Sequence, residues 1–202
     1  MKTTNIPFVS SLQFNPVPTL ELSTYKWLEN GYEPKVEVFL CHDGGRLAVK
    51  FVAHELAQNI RAEVTEDAGP VNEDSCVEFF FNPYADDPRY INIEINSIGT
   101  LNMSIRTDRA SASPIAHICK PKMNISNSLT ATAWTTEYIL PFELISELFS
   151  APRSLSSGSV CKGNFYKCGD FAKLPHYGMW NEVLVPDPDF HRPDFFASLV
   201  FD

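Results

Sequence analysis

No stretch of this chain approaches the roughly 18 consecutive apolar residues that a membrane-spanning helix requires. No C-x-x-C pair occurs among the cysteines at 41, 76, 119, 161 and 168, so neither a zinc knuckle nor a disulfide framework is indicated. Cys161 and Cys168 are spaced to pair across a hairpin, but free thiols are the expectation, with Cys76 and Cys119 as small buried hydrophobes. Basic stripes are missing too. The net charge is −9, which argues against nucleic acid and against an anionic membrane surface as partners, while a neutral small molecule, a sugar or a cation would not be repelled. There is no G-x-S-x-G, no phosphate-binding glycine loop and no dinucleotide fingerprint. The opening "MKTTNIPFVSSLQFNPVP" has a single lysine and no long apolar core, so no secretory signal is visible. The expectation is a cytoplasmic protein or a mature secreted form.

What the chain does have is period-two alternation. In "YINIEINSIGTLNMSIR" (90–106), Ile91, Ile93 and Ile95 point one way and Tyr90, Asn92, Glu94 and Asn96 the other; after Gly99 the pattern returns with Leu101, Met103 and Ile105 against Asn102, Ser104 and Arg106. That period marks half-buried strands. "KVEVFLCHDGGRLAVKFVAHE" reads as a hairpin turning at Asp43-Gly44-Gly45. Further strands are expected over "NEDSCVEFFFNP", "SLTATAWTTEYILPF", "CKGNFYKCGD" and Phe195 to Phe201. "FELISELF" (142–149) is the one good helical candidate, "RSLSSGSV" a flexible loop, and residues 1–32 an irregular lead-in with one or two short strands. About ten short strands and almost no helix predict a single all-β domain over 1–202, a two-sheet β-sandwich or a barrel.

Four constellations are candidates for chemistry. The first is the polar strand face, Glu78, Asn92, Glu94, Asn102 and Arg106: amides both donate and accept, Glu accepts and Arg donates through a fixed fork, which suits sugar hydroxyls. Its bland alternative is a solvated face with an ion pair. The second is the proline-stiffened tail carrying His176, Tyr177, Trp180 and Asn181, whose flat rings could seat the C–H face of a sugar or merely pin the loop. Trp134 belongs to a strand and is expected in the core; Trp27 has no evident place. The third is clustered carboxylates for calcium: Asp74, Asp86 and Asp87, with Asp187, Asp189 and Asp194 in the tail, although aspartate is common in turns. The fourth is a Glu78–Glu94 acid pair of glycosidase type, which requires a cleft and one raised pKa.

Several segments together resemble the family nine carbohydrate-binding modules, closest to a stand-alone bacterial group: "DSCVEFFFNP", "YINIEINSIGTL", "WTTEYILPFELI", "GNFYKCGD" and "PHYGMWNEV" through "PDFHRPDFFASLVF". The match runs from about residue 74 to 201, with a looser fit over 35–60. The resemblance implies an immunoglobulin-like or jelly-roll-type β-sandwich that binds carbohydrate without catalysis, often beside xylan- and cellulose-degrading glycoside hydrolases, with structural calcium and a sugar held between two tryptophans. Carried over by position, Trp180 is one platform, Asn181 its polar neighbour, Glu78 the acidic contact and Arg106 the guanidinium, with Arg109 and Tyr177 close by. The second platform would fall near Val71 or Asn72, where "AGPVNEDS" has no aromatic; Tyr84, Tyr90 and Tyr177 are its candidate substitutes. Two other readings stay open: a glycan-active enzyme using Glu78 or Glu94, and an interaction domain whose sugar site has decayed.

Overall fold

The computed structural model describes residues 1–202 apart from 29, 85 and 152–154. The lead-in holds three short strands, β1 (Thr3–Ile6), β2 (Thr19–Leu22) and β3 (Thr24–Tyr25). The predicted hairpin follows as β4 (Val36–His42) and β5 (Arg46–Ala53), and then β6 (Cys76–Asn82), β7 (Tyr90–Asn96), β8 (Leu101–Arg106) and β9 (Ser113–Pro114). Helix α1 (Ala116–Met123) leads to β10 (Ser126–Leu129) and β11 (Trp134–Pro141). Helix α2 (Phe142–Phe149) precedes β12 (Val160–Cys168), β13 (Tyr177–Met179) and β14 (Ala197–Phe201).

These strands form two sheets packed face to face. One has the order β1-β14-β12-β6-β7-β8-β9, with β13 and β3 branching from β12; the other has the order β10-β11-β5-β4-β2. Among the described residues β1–β14 is the one parallel ladder between named strands. The hairpin turn is set by Asp43, whose Oδ1 accepts the N–H groups of Gly45 and Arg46, while Gly44 takes φ +88°. Gly99 does the same between β7 and β8, also at φ +88°, beneath the Asn96 side chain, which accepts from the N–H of Thr100. A residue with a Cβ would be strained at both positions.

The inward rows meet as the alternation predicts. Val77, Phe79 and Phe81, Ile91, Ile93 and Ile95, and Leu101 and Met103 pack against Val36, Val38, Val49 and Phe51 of the opposite sheet. Phe79 and Phe165 stack with centroids 4.6 Å apart. Each such ring contributes on the order of 1.5–3 kcal/mol through burial. Trp134 is in this core, as expected, and donates its indole N–H to Glu55.

Two features depart from the sequence reading. Helix α1 was not expected: it contains Pro121, and its apolar residues form no clear stripe, so the helical period is hidden. The outer face of β6 and β7 is also largely covered, reached by solvent only through a cavity. The chain after β13 folds back over it, and Met179, Val183, Phe190 and Phe196 build a second, smaller core on Cys76, Phe80, Tyr90 and Tyr166. The polar face predicted on these strands is therefore a buried surface roofed by the tail. The "RSLSSGSV" loop begins with residues outside those described; within the remainder, Leu155 is packed into the main core.

Candidate functional site

Antiparallel register lays the polar residues out in rows. Glu78 of β6 stands opposite Glu94 of β7, and Glu94 opposite Asn102 of β8. One row along, Asn92 pairs with Ser104, and the next row sets Tyr90 beside Arg106. The side chains link the rows. Asn92 and Asn102 donate to the two Glu94 oxygens at 2.8 and 3.0 Å. Ser104 donates to Asn92 Oδ1 at 3.0 Å, and Arg106 Nε donates to Ser104 Oγ at 2.8 Å. Arg106 Nη1 reaches the Arg109 carbonyl, so two of its three guanidinium nitrogens are braced by protein, and among the described residues the third, Nη2, has no protein partner.

This network floors a cavity of about 360 Å³. Its walls come from elements far apart in sequence. Trp27 projects from a residue with φ +70° in the lead-in and donates its indole N–H to Val185 in the tail. Its ring meets Tyr177 edge-on at 5.8 Å and Phe190 at 5.5 Å. Phe190 is itself stacked on Tyr166 at 4.1 Å. On another side Asn72, on a single-turn 3₁₀ helix (Val71–Glu73), donates to Asp170 at 2.8 Å. Arg109 pairs with Asp189 at 3.0 Å and ties the β8–β9 loop to the tail. Pro188, Asp189 and His191 complete the rim.

Burial dominates the electrostatics. It raises the Glu78 carboxyl well above the usual carboxylate range, and the neighbouring Glu94 charge pushes it further. Glu94 is raised by burial too, but the Asn92 and Asn102 amides and Arg106 oppose the shift. Glu94 is thus the better-stabilised anion and Glu78 the better-held acid. His191 is pushed down to about 3 by burial and by Arg106 and Arg109, so it is neutral at pH 7 beside the Tyr90 hydroxyl, 2.9 Å from its Nδ1. Tyr177 is raised to about 12, chiefly by burial.

Of the predicted residues, Glu78, Glu94, Asn102, Arg106, Arg109 and Tyr177 line the cavity. Asn92 lies one layer beneath, fully buried, and braces Glu94 and Arg106 from below. Trp180 and Asn181 are corrections. Trp180 is only 4% exposed and belongs to the main core, its ring edge-on to Phe165 at 5.6 Å. Its N–H bonds the Phe165 carbonyl, and that inward-facing residue carries Trp180 to the core side. Asn181 is a structural clamp between chain ends: it accepts from the Lys2 N–H and donates to the Phe195 carbonyl. Tyr84 and Tyr90, candidates for a second platform, are both buried.

The three aspartates expected for calcium form no metal-sized group among the described residues, and the oxygens of two of them, Asp74 and Asp87, are already engaged. Asp74 accepts from Arg61, Asn96 and the N–H groups of Glu63 and Val64, an all-donor shell that competes with a cation. Asp87 is bonded by the Arg89 guanidinium. These three do not fit the ion. All five cysteines are free and buried, Cys161 and Cys168 included.

The family model described as Carbohydrate-binding family 9 matches residues 8–201. The chain belongs to that family. A protein of Bacteroides uniformis described as carbohydrate-binding has the same fold at TM-score 0.87 and 27% identity, with 100% of this chain and 99% of that one aligned. A family 9 module from Caldicellulosiruptor kristjanssonii, solved with cellotriose, aligns at TM-score 0.71 and 10% identity over 100% of this chain and 94% of that one; its glucose complex gives the same score and identity over 96% of that chain. No curated protein matches the chain significantly.

Family 9 membership supports carbohydrate binding, in a family of non-catalytic modules. The residues that sequence reasoning missed are Trp27, Asn72, Cys168, Asp170 and the Pro188–His191 rim. Trp27 was visible only as an unplaced aromatic. Cys168 ends β12 and enters by its register with Cys76; the others carry no period or spacing signal, because loop and turn geometry and not strand alternation brings them in.

Proposed function

We propose that the cavity holds one or two rings of a neutral, plant-type glycan, a xylan or cellulose fragment, without turning it over. The observation that carries this reading is that one cavity is lined both by Glu94, Asn102 and Arg106, which Asn92 braces from beneath, and by the aromatic side chains of Trp27 and Tyr177. A sugar offers hydroxyls that need paired donors and acceptors, and C–H faces that rest on flat rings. The volume, about 360 Å³, lies at the lower end of ligand pockets, which suits a chain end or a short fragment and not a long run of rings. Three carboxylates (Glu94, Asp170 and Asp189) against two arginines, with Glu78 held as the acid beside them, disfavour uronates and sugar phosphates. A place in carbohydrate catabolism beside glycoside hydrolases follows from this reading.

The test is a thermal-shift screen with mono- and disaccharides, cello- and xylo-oligosaccharides, uronates and amino sugars, with and without calcium. A ligand confined to the folded state adds RT ln(1 + [L]/Kd), about 2.7 kcal/mol at a hundred times Kd. A selective shift with a neutral fragment is expected. A flat panel at high ligand concentration overturns the reading and favours a decayed site. Turnover of aryl glycosides that is lost in Glu78→Gln or Glu94→Gln overturns it in favour of an enzyme.

A further inference from the structure

At one end of the cavity floor, polar pairing gives way to sulfur. Cys76 and Glu78 sit two residues apart on β6 and so share its outer face. Cys168 of β12 is the register partner of Cys76. The three ligand atoms, two Sγ and one carboxylate oxygen, all lie within 4.8 Å of one another, and Cys168 Sγ is 3.0 Å from Glu78 Oε1. The three residues are 0, 4 and 1% exposed. Glu78 and Cys168 nevertheless line the cavity, so there is an entry path from solvent.

We propose that Cys76, Cys168 and Glu78 form a binding site for a thiophilic divalent cation of the zinc class. Two thiolates and a carboxylate are a ligand set for zinc or a softer ion and a poor one for calcium or magnesium, which select oxygen. Three protein ligands leave one tetrahedral position, which faces a cavity able to supply water or a sugar hydroxyl. The ligands are carried by two hydrogen-bonded strands, a rigid mounting that reduces the ordering needed on binding. Cysteines bind such an ion as thiolates and glutamate as a carboxylate, so one M²⁺ on these three ligands gives a complex of net charge −1 and releases the thiol protons. The site stands whether or not a sugar binds.

The experiment uses the full chain, reduced and treated with chelator, and titrates it with Co²⁺. The expected result is one equivalent bound, with thiolate-to-cobalt charge transfer in the near ultraviolet and the visible bands of tetrahedral cobalt, both displaced by Zn²⁺. Cys76→Ser and Cys168→Ser should abolish the charge transfer, Glu78→Gln should weaken binding at least tenfold, and Cys41→Ala should leave it unchanged. If the cysteine variants do not fold, X-ray absorption on zinc-loaded wild-type protein decides, since a first shell with two sulfur scatterers is expected. Absence of charge transfer at saturating cobalt, its persistence without both cysteines, or a shell of light atoms alone overturns the site.

Discussion

Glu78 and Glu94 face one another across the β6–β7 ladder, both shielded from solvent, yet they are held by different partners. Glu94 accepts from two amide side chains, whereas Glu78 accepts from the Cys168 thiol. Two carboxylates placed this way do not both ionise readily, and the hydrogen-bond donors select which one carries the charge.

That asymmetry predicts different responses to the same substitution. Glu94→Gln puts an amide N–H₂ against one of the donors from Asn92 and Asn102 and should cost about 1–3 kcal/mol. Glu78→Gln replaces a group that is already neutral and should be close to neutral at pH 5. Because the folded-state pKa of Glu78 is raised, its contribution is full below its unfolded value near 4.3 and is lost as pH rises through the folded value. Glu78→Gln should therefore become progressively more stable than wild type towards neutral pH. Urea unfolding of both variants at a series of pH values checks this; equal penalties for the two would contradict the assignment.

His176 supplies a slope of the opposite sign. It is buried, Lys167 donates to its Nε2 at 2.6 Å, and its Nδ1–H meets the Leu174 carbonyl at 2.7 Å. Burial and Lys167 lower its pKa from 6.5 to about 3. The unfolded chain takes up a proton that the folded chain refuses, so stability is present above pH 6.5 and is lost as pH falls towards 3, by up to about 1.4 kcal/mol per pH unit. His176→Gln should flatten the acid limb of the stability curve between those values, whatever its cost at pH 7. An unchanged slope would place the acid sensitivity elsewhere.

The two tryptophans near the tail should separate cleanly. Trp180→Ala empties a core position and should destabilise by about 3–5 kcal/mol. Trp27→Ala removes a cavity wall and should weaken sugar binding by about 0.5–1.5 kcal/mol, roughly two- to tenfold, with a smaller loss of stability. Calorimetric titration beside thermal melts distinguishes them. Full affinity in Trp27→Ala would remove it from the site.

Arg106 is braced on two nitrogens before any ligand arrives, so little order is lost when it binds one. Arg106→Ala should weaken binding by about 1.5–3 kcal/mol, roughly ten- to a hundredfold, as expected for losing a charged donor. Arg106→Lys should recover only part, since a point charge cannot replace a planar fork. Unchanged affinity in both variants would detach the polar floor from function.

Much of this molecule was legible in the order of its residues, because strands write their two faces with a period of two. The alternation over 90–106 placed Ile91, Ile93 and Ile95 in the core and Asn92, Glu94, Asn102 and Arg106 on one opposite surface. The turn residues at Gly44 and Gly99 marked the hairpins, and the ordered motifs from residue 74 onward pointed to family 9. Tertiary structure decided what that surface is. Period two tells one face from the other but does not say whether water or protein covers it. Here the chain after β13 roofs the polar face and turns a strand surface into a cavity. It also decided which tryptophan faces in: Trp180 follows Phe165 into the core through a backbone bond, while Trp27 reaches the cavity from a positive-φ position that no periodicity describes. Local pattern depends on the backbone repeat, which is a property of sequence. The partners of a loop are set by long-range packing, which becomes definite only once both sheets and the tail have come together.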